Sequence, residues 1–218
     1  MQIFLDSADI NEIKEINELG IVSGLTTNPT LISKTIIDFD SSIAEICKII
    51  SGDISVEVVA KDLTSMIKQS EKLLKISKNI VIKLPLTWEG IKACKYLSHK
   101  GAKVNMTLCF SANQAVIAGL AGATYISPFI GRLEDNGNSG LELIQDIRQI
   151  YDNYVETIHT KILAASIRNP HHFQQCALAG ADYATLPGKL IKQLLDHPLT
   201  TTGLELFNED WEKSKLKI

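Results

Sequence analysis

The sequence has few cysteines, little net charge and no long apolar run, and each of these absences excludes a class of protein. The four cysteines form no Cys-x-x-Cys pair, so we expect reduced thiols in a cytoplasmic protein and no disulfide framework or zinc site. The formal net charge is only -3, which argues against binding to nucleic acid or a membrane surface. No apolar run approaches the roughly 18 residues of a membrane span. No basic stretch followed by an apolar one opens the chain, so we expect no signal peptide.

The chain also lacks a Pro- or Ser-rich linker and a Gly-x-Gly-x-x-Gly motif after its first β-rich run. Its 218 residues, 45% of them hydrophobic, suffice for one domain with a large core. Short β-rich runs alternate eight times with segments of helical spacing, which predicts a single α/β domain over residues 1–218, a (β/α)8 or TIM barrel. A doubly wound open sheet is the alternative, and the missing glycine motif disfavours it. The predicted strands are Gln2–Ser7, Val22–Asn28, Ile54–Val59, Ile80–Leu86, Lys103–Cys109, Thr124–Ile130, Lys161–Ser166 and Tyr183–Pro187.

Helix boundaries follow from capping residues. A polar cap followed three residues later by Glu or Gln predicts a helix start, and Gly20, Gly101 and Gly180 predict helix ends. The predicted caps are Asp9, Ser42, Ser111 and Ser139, with Asn169 before Pro170. Residues 199–218 lie beyond the eighth unit, where Leu204, Phe207 and Trp211 have helical spacing. We therefore expect a C-terminal helical extension that packs on another surface.

Lys83 is the most informative residue because it lies in a run, Ile80–Thr87, that otherwise predicts a buried strand. Lysine is rarely buried without compensation. Desolvation disfavours the charged form of an amine, and a neutral amine can attack a carbonyl and form a Schiff base. The alternative is a lysine whose head reaches water from the end of the strand. The segment alone does not decide between the two.

Polar residues cluster at the predicted carboxyl ends of the strands, where enzymes with this fold place their chemistry. Singly, several of them fit ordinary structural roles: Asp6 could cap a helix, Asn28 could be a turn residue, and Arg132 and Arg168 could be surface charges. Glu57 fits no such role, because a carboxylate in a valine-rich strand needs a partner or a raised pKa. Together these residues predict an active site at one mouth of the barrel. They are Asp6, Thr26, Thr27, Asn28, Glu57, Lys83, Asn105, Thr107, Ser127, Phe129, Arg132, Ser166 and Arg168.

Four motifs in this set resemble those of the transaldolase family. Thr26-Thr27-Asn28-Pro29-Thr30 resembles the N-terminal signature, and Val81-Ile82-Lys83-Leu84-Pro85 resembles the Schiff-base lysine strand of the small transaldolase-like subfamily. Asn105-Met106-Thr107-Leu108 and Ser127-Pro128-Phe129-Ile130-Gly131-Arg132 resemble two further motifs. The resemblance covers the chain from Asp6 to Trp211. The subfamily also contains fructose-6-phosphate aldolases, which typically have glutamine and tyrosine where this chain has Glu57 and Phe129. The chain therefore resembles a transaldolase at both positions.

The resemblance implies a role for each matched residue. Lys83 forms a Schiff base with the C2 carbonyl of a ketose phosphate, and Asp6 exchanges the proton of the C4 hydroxyl. Glu57 and Thr107 hold a water that transfers protons. The substrate-binding residues are then Asn28, Asn105 and Ser127 on the hydroxyls of a dihydroxyacetone unit, Arg132, Ser166 and Arg168 on the phosphate, and Thr27 and Phe129 beside them.

Three functions remain open: a transaldolase, a fructose-6-phosphate aldolase, or a barrel that binds sugar phosphates without catalysis. The leading hypothesis is transfer of dihydroxyacetone between sugar phosphates in the pentose phosphate pathway. We expect no metal and no organic cofactor, since the five histidines show no metal-ligand spacing. The resemblance also implies a homo-oligomer, because small members of the family tend to form ring-like decamers.

Overall fold

The computed structural model describes residues 1–35 and 38–216, and it contains a closed barrel of eight parallel strands. Each strand pairs with its neighbours in chain order, and the eighth returns to the first. The predicted (β/α)8 barrel is therefore confirmed. The strands are β1 Gln2–Asp6, β2 Val22–Thr26, β3 Asp53–Glu57, β4 Ile80–Pro85, β5 Val104–Cys109, β6 Tyr125–Pro128, β7 Lys161–Ala164 and β8 Tyr183–Leu186.

Helices surround the barrel, and most of them bury apolar residues against it. Along the described residues they are α1 Ile10–Asn17, α2 Pro29–Thr35, α3 Phe39–Ile49, α4 Leu63–Leu73, α5 Trp88–His99, α6 Ala112–Leu120, α7 Ile130–Glu134, α8 Gly140–Asn153, α9 Pro170–Leu178, α10 Gly188–Leu195 and α11 Pro198–Ser214. None of them is long and apolar enough to cross a membrane, as far as the described ranges extend.

Most of the capping predictions are confirmed. The side chains of Asp9, Ser111, Ser139 and Asn169 each accept hydrogen bonds from backbone amides in the first turn of a helix. The Ser42 prediction is wrong, because α3 begins at Phe39 and Ser42 already donates its amide to the Asp38 carbonyl. Phe39 packs against the core, and this contact extends the helix by a turn before the predicted cap.

Seven of the eight strands are shorter than predicted at their carboxyl ends, and β5 ends at Cys109 as predicted. The sixth was expected to reach Ile130, but β6 ends at Pro128 and Ile130 begins α7. After the observed strand ends, the chain continues into loops and short helices. The polar residues at these positions therefore do not extend the hydrogen-bonded sheet, although the composition is β-rich. The register nevertheless aligns key positions, with Glu57 opposite Lys83 and Lys83 opposite Asn105.

An aromatic cluster fills the barrel below the predicted site. The rings of Phe4, Tyr125 and Tyr183 share the interior with Val81 and Leu163. Phe4 lies edge-on to both tyrosine rings, with centroids 5.7 and 5.1 Å away. This cluster fills the barrel toward the amino ends of the strands, and its residues do not line the cavity described below.

Helix α11 exists where the C-terminal extension was predicted, but it buries none of its residues within the chain. Leu204, Phe207 and Trp211 are exposed. The expectation that these side chains pack on another surface is therefore not met inside this chain.

Candidate active site

A cavity of about 460 Å³ opens at the carboxyl ends of the strands. Most of the predicted site residues line it, including both carboxylates and the lysine. Its walls are formed by Asp6, Thr26, Asn28, Pro29, Thr30, Leu31, Glu57, Lys83, Thr107, Leu108, Ser127, Phe129, Arg132, Ala165, Ser166 and Thr185.

Lys83 lies inside this cavity and does not extend to bulk water. The residue is 5% exposed. Its Nζ lies 3.0 Å from Glu57 Oε2 and donates a hydrogen bond to the Thr27 carbonyl at 2.9 Å. The carboxylate and the carbonyl compensate the buried amine, and the same ion pair explains how Glu57 is accommodated in its valine-rich strand.

Asp6 is the second carboxylate of the cavity. Thr26 Oγ1 donates to Asp6 Oδ1 at 2.8 Å and is also 2.6 Å from Thr185 Oγ1. Burial raises the pKa of Asp6 above its ordinary value, while the charge of Lys83 and the hydrogen bond from Thr26 act in the opposite direction. Helix α1 is capped by Asp9 and not by Asp6, so the capping alternative for Asp6 does not hold.

Thr107 lines the cavity with a hydroxyl group that has no hydrogen-bond partner among the described residues. Its Oγ1 is buried without a hydrogen bond among the described residues. The next residue, Leu108, adopts a left-handed conformation with φ of 61°, which is rare for a bulky side chain. One extra residue in β5 relative to β6 accompanies it, between Met106 and Cys109. This bulge redirects the chain at the point where Thr107 enters the cavity wall.

Two predicted residues lie behind the wall of the cavity. Asn105 is fully buried, donates to Ser55 Oγ at 3.0 Å and accepts from Ser127 Oγ at 2.8 Å. The Thr27 hydroxyl donates a hydrogen bond to the Ser55 carbonyl, and the Thr27 carbonyl accepts one from Lys83 Nζ. Both therefore hold cavity residues in place, Asn105 through Ser127 and Thr27 through Lys83.

Asn28 lines the cavity and also has the turn role that was the alternative for it. Its Oδ1 accepts from the Leu31 amide at 3.0 Å, at the start of α2. The amide group is thereby fixed in orientation at the rim of the cavity.

One of the two predicted arginines, Arg132, lines the cavity. Arg132 lies over the Phe129 ring, 5.0 Å from guanidinium carbon to ring centroid, and the same ring contacts Phe110 edge-on at 5.9 Å. Ser166 has a positive φ of 58° and its carbonyl accepts from the Gly131 amide at 3.1 Å. Arg168 does not line the cavity wall; its guanidinium binds the carboxylate of Asp135.

The sequence did not identify Thr185 or Asp135 as site residues. Thr185 sits in β8 with a polar side chain between two apolar neighbours, the same signal that marked the other strands. Asp135 ends the short helix α7, and no local pattern pairs it with an arginine 33 positions later.

Comparisons with known proteins identify the family of this chain. Residues 3–218 match the family model described as transaldolase/fructose-6-phosphate aldolase. The chain belongs to this family. It is 54% identical over its whole length, and the whole of the relative, to a protein named "probable transaldolase" from Parvibaculum lavamentivorans. It is 56% identical, again over both full lengths, to one of the same name from Roseobacter denitrificans.

A solved structure with little sequence similarity supports the fold alone. Inosine 5' monophosphate dehydrogenase from Legionella pneumophila matches 86% of this chain with a TM-score of 0.60 at 15% identity, and the match spans 58% of that chain. At this identity only the barrel is shared. The family and the close relatives identify the chain as an enzyme of the transaldolase family with a TIM barrel.

Proposed function

We propose that this enzyme transfers a dihydroxyacetone unit between sugar phosphates through a Schiff base on Lys83. The donor is fructose 6-phosphate or sedoheptulose 7-phosphate, and the acceptor is erythrose 4-phosphate or glyceraldehyde 3-phosphate, as in the pentose phosphate pathway. The observation that carries the proposal is a buried lysine amine inside a polar cavity, with carboxylates from β1 and β3 lining the same cavity.

Glu57 is the proton acceptor for the first step. Lys83 must lose a proton before its amine attacks the C2 carbonyl, and Glu57 Oε2 lies 3.0 Å from Nζ. Loss of water from the adduct then gives an iminium, which draws electrons from the adjacent C–C bond. Thr107 Oγ1, buried without a partner among the described residues, is suited to hold the water that is released and later consumed.

Asp6 carries the proton of the bond-breaking step. It accepts the proton of the C4 hydroxyl as the C3–C4 bond breaks and returns it when the acceptor aldehyde adds. A raised pKa makes a carboxylate a better base at neutral pH, and burial acts on Asp6 in that direction. Thr26, which donates to Asp6 Oδ1, directs the other oxygen toward the substrate.

The three-carbon unit is held on both sides of Lys83. Asn28 and Ser127 line the cavity and bind its hydroxyls, with Asn105 holding Ser127 in orientation through the 2.8 Å contact. The phosphate at the far end is bound by Arg132, Ser166 and Arg168, because the guanidinium fork matches phosphate oxygens. The apolar ring of Phe129 also lines the cavity and contacts Arg132 and Phe110.

The competing activity is direct cleavage, since the family description names both transaldolase and fructose-6-phosphate aldolase. The names of the relatives and the ring at Phe129 favour transfer. A coupled assay with fructose 6-phosphate, with and without erythrose 4-phosphate, separates the two. Turnover that requires the acceptor supports the proposal; equal release of glyceraldehyde 3-phosphate without it identifies an aldolase, and no turnover under either condition supports a non-catalytic barrel.

We also propose that the enzyme is a cytoplasmic homo-oligomer. The family resemblance implies a decamer, and the exposed apolar side chains of α11, Leu204, Phe207 and Trp211, are the ones an assembly can cover. Light scattering of the purified protein measures the mass directly, and a monomer at assay concentration contradicts this proposal.

A further inference from the structure

The two arginines proposed to hold phosphate have different partners. The Arg132 guanidinium lies over an aromatic ring at the cavity wall. The Arg168 guanidinium is bound end-on by Asp135, with Nη1 on Oδ1 and Nη2 on Oδ2. Both terminal nitrogens of Arg168 are therefore engaged by a carboxylate of this chain.

The aliphatic part of the Arg168 side chain lies beside Gly131, near the proposed phosphate site. Its guanidinium can exchange one anionic partner for another. A Cβ at Gly131 would lie 2.9 Å from Arg168 Nε and would also clash with the Ser166 carbonyl. The Arg168 side chain therefore passes directly over the backbone of Gly131, which has no side chain of its own. The side chains of Arg168 and Asp135 are each 49% exposed. Because both side chains are exposed, solvent and salt screen this ion pair, and a competing anion can replace the carboxylate.

A carboxylate and a phosphate present the same pair of oxygens to a guanidinium fork. The nitrogens that hold Asp135 cannot hold phosphate at the same time. In the proposed reaction the phosphate belongs to the aldose half of the sugar. It leaves with the first product while the three-carbon unit stays on Lys83, and a second phosphate then enters. The phosphate site is thus emptied and refilled within each turnover.

We propose that Asp135 is an internal competitor for the substrate phosphate. It occupies Arg168 when the site is empty, yields it when an aldose phosphate binds, and so sets how tightly phosphate is held. This inference rests on the proposed function, because it assigns Arg168 to the phosphate.

The pKa directions agree with the pairing of these two side chains. The hydrogen bond between them raises the pKa of Arg168 and lowers the pKa of Asp135. Each charged form is therefore stabilised by the other, which is the interaction that an incoming phosphate has to replace.

Inorganic phosphate is the probe for the test. Its dissociation constant is measured by calorimetry on the full-length protein, and its inhibition constant against fructose 6-phosphate by assay. Asp135→Asn keeps the shape of the side chain and removes the competing charge. Both constants should fall by about two- to five-fold, the range expected for loss of an exposed ion pair. In an Arg168→Ala background the same substitution should have no effect.

Glu134→Gln is the matched control. It removes the same charge one residue away, where Glu134 contacts His172 Nε2 at 2.9 Å and acts on Arg168 through its charge. Phosphate binding should strengthen less than in Asp135→Asn, because Asp135 holds the guanidinium by direct hydrogen bonds. An equal gain in both variants would show a long-range effect of charge and overturn the inference, as would unchanged or weaker binding in Asp135→Asn.

The failure of this inference is distinguishable from failure of the proposed function. If the unmodified protein binds phosphate, and Arg168→Ala weakens it, the phosphate site stands whatever Asp135 does. If Arg168→Ala leaves phosphate binding unchanged, the proposed phosphate site is wrong and the inference falls with it.

Discussion

The amino-terminal end of the barrel is filled by packed rings, whereas the carboxyl-terminal end holds an open cavity with charged side chains. At the first end, Tyr125 donates to Asp53 at 2.7 Å, and Lys103 pairs with the same carboxylate at 2.8 Å. The Asp53 side chain is 15% exposed and so remains close to water. These polar groups are paired, and the rings between them exclude solvent.

The other end retains features that disfavour folding. Thr107 Oγ1 has no partner in the described part of the chain, and Leu108 and Ser166 adopt left-handed backbone conformations. Lys83 and Glu57 are an ion pair with 6% and 16% exposure of their side chains, an arrangement whose desolvation offsets much of its attraction. Such features persist at functional sites because the surrounding fold stabilises them. We therefore expect the amino-terminal end to contribute stability and the carboxyl-terminal end to contribute chemistry, and substitutions at each end should separate the two.

The largest effect is expected at Lys83. Lys83→Met should abolish turnover while the barrel stays folded, because no other residue described in the cavity wall carries an amine that could form the iminium. Borohydride added with fructose 6-phosphate should inactivate the unmodified protein and add a three-carbon mass to the peptide that contains Lys83. Mass spectrometry and circular dichroism supply the measurements. A label on a different lysine would refute the assignment.

The phosphate side should show the next largest effect. Arg132→Ala and Arg168→Ala each remove a charge-assisted contact worth about 1.5–3 kcal/mol, which corresponds to a rise in KM of roughly 10- to 100-fold. The rise should be confined to phosphorylated substrates. Non-phosphorylated fructose is the control, and an equal loss with it would show that the arginines act on the structure and not on phosphate.

Two carboxylates, one at each end, should respond with opposite sign when they are neutralised. Asp53→Asn loses the charged acceptor of Tyr125, so the free energy of unfolding should fall by about 1–2 kcal/mol with little change in KM. Asp6→Asn removes a carboxylate whose burial is unfavourable, so stability at neutral pH should rise by about 1 kcal/mol while turnover falls. Denaturant titrations compare the two, and parallel changes in stability would contradict the contrast between the ends.

The pH dependence sharpens this test. Burial raises the pKa of Asp6 above its ordinary value of 3.8, so the folded protein binds a proton that the unfolded chain has released. Stability from this group is present below 3.8 and decreases as pH rises through the higher folded pKa. Asp6→Asn should remove that decrease. A variant whose unfolding free energy keeps the unmodified pH profile would show that Asp6 titrates normally.

Much of the fold and of the site follows from local patterns. Strand alternation and capping residues predict the barrel, and the polar strand ends place Lys83, Asp6 and Glu57 at one mouth, as the structure has them. These patterns act over a few residues along one strand or helix. Packing decides the rest: Phe39 starts α3 before the predicted cap at Ser42.

Contacts between distant segments could not be predicted in this way. Asn105 alternates with Thr107 on β5, and the pattern does not show that Ser55 and Ser127 enclose it. The pairing of Arg168 with Asp135 joins the loop after β7 to the end of α7, and the Arg168 side chain passes over the backbone of Gly131. Helical spacing predicts α11, but its apolar side chains are exposed in the described chain, and spacing alone does not identify a surface that they pack on.

The smallest expected effect concerns the choice between transfer and cleavage. The residues concerned all lie at the carboxyl-terminal end of the barrel. The Phe129 ring, in contact with Arg132 and Phe110, offers no hydroxyl to water near the iminium. Phe129→Tyr supplies one, so water should reach the covalent intermediate more readily and the ratio of free dihydroxyacetone to transferred product should rise a few-fold. Glu57→Gln should act in the same direction, since an amide can orient the water but cannot exchange protons with it, although it should also slow Schiff-base formation.

Both products are measured in one assay mixture containing erythrose 4-phosphate. Phe110→Tyr is the matched control, because it adds the same hydroxyl to the neighbouring ring, which does not line the cavity. The ratio should change in Phe129→Tyr and stay constant in the control. If neither Phe129→Tyr nor Glu57→Gln changes the ratio, the discrimination lies elsewhere in the cavity, and the preference for a transferase loses its physical basis at these two positions.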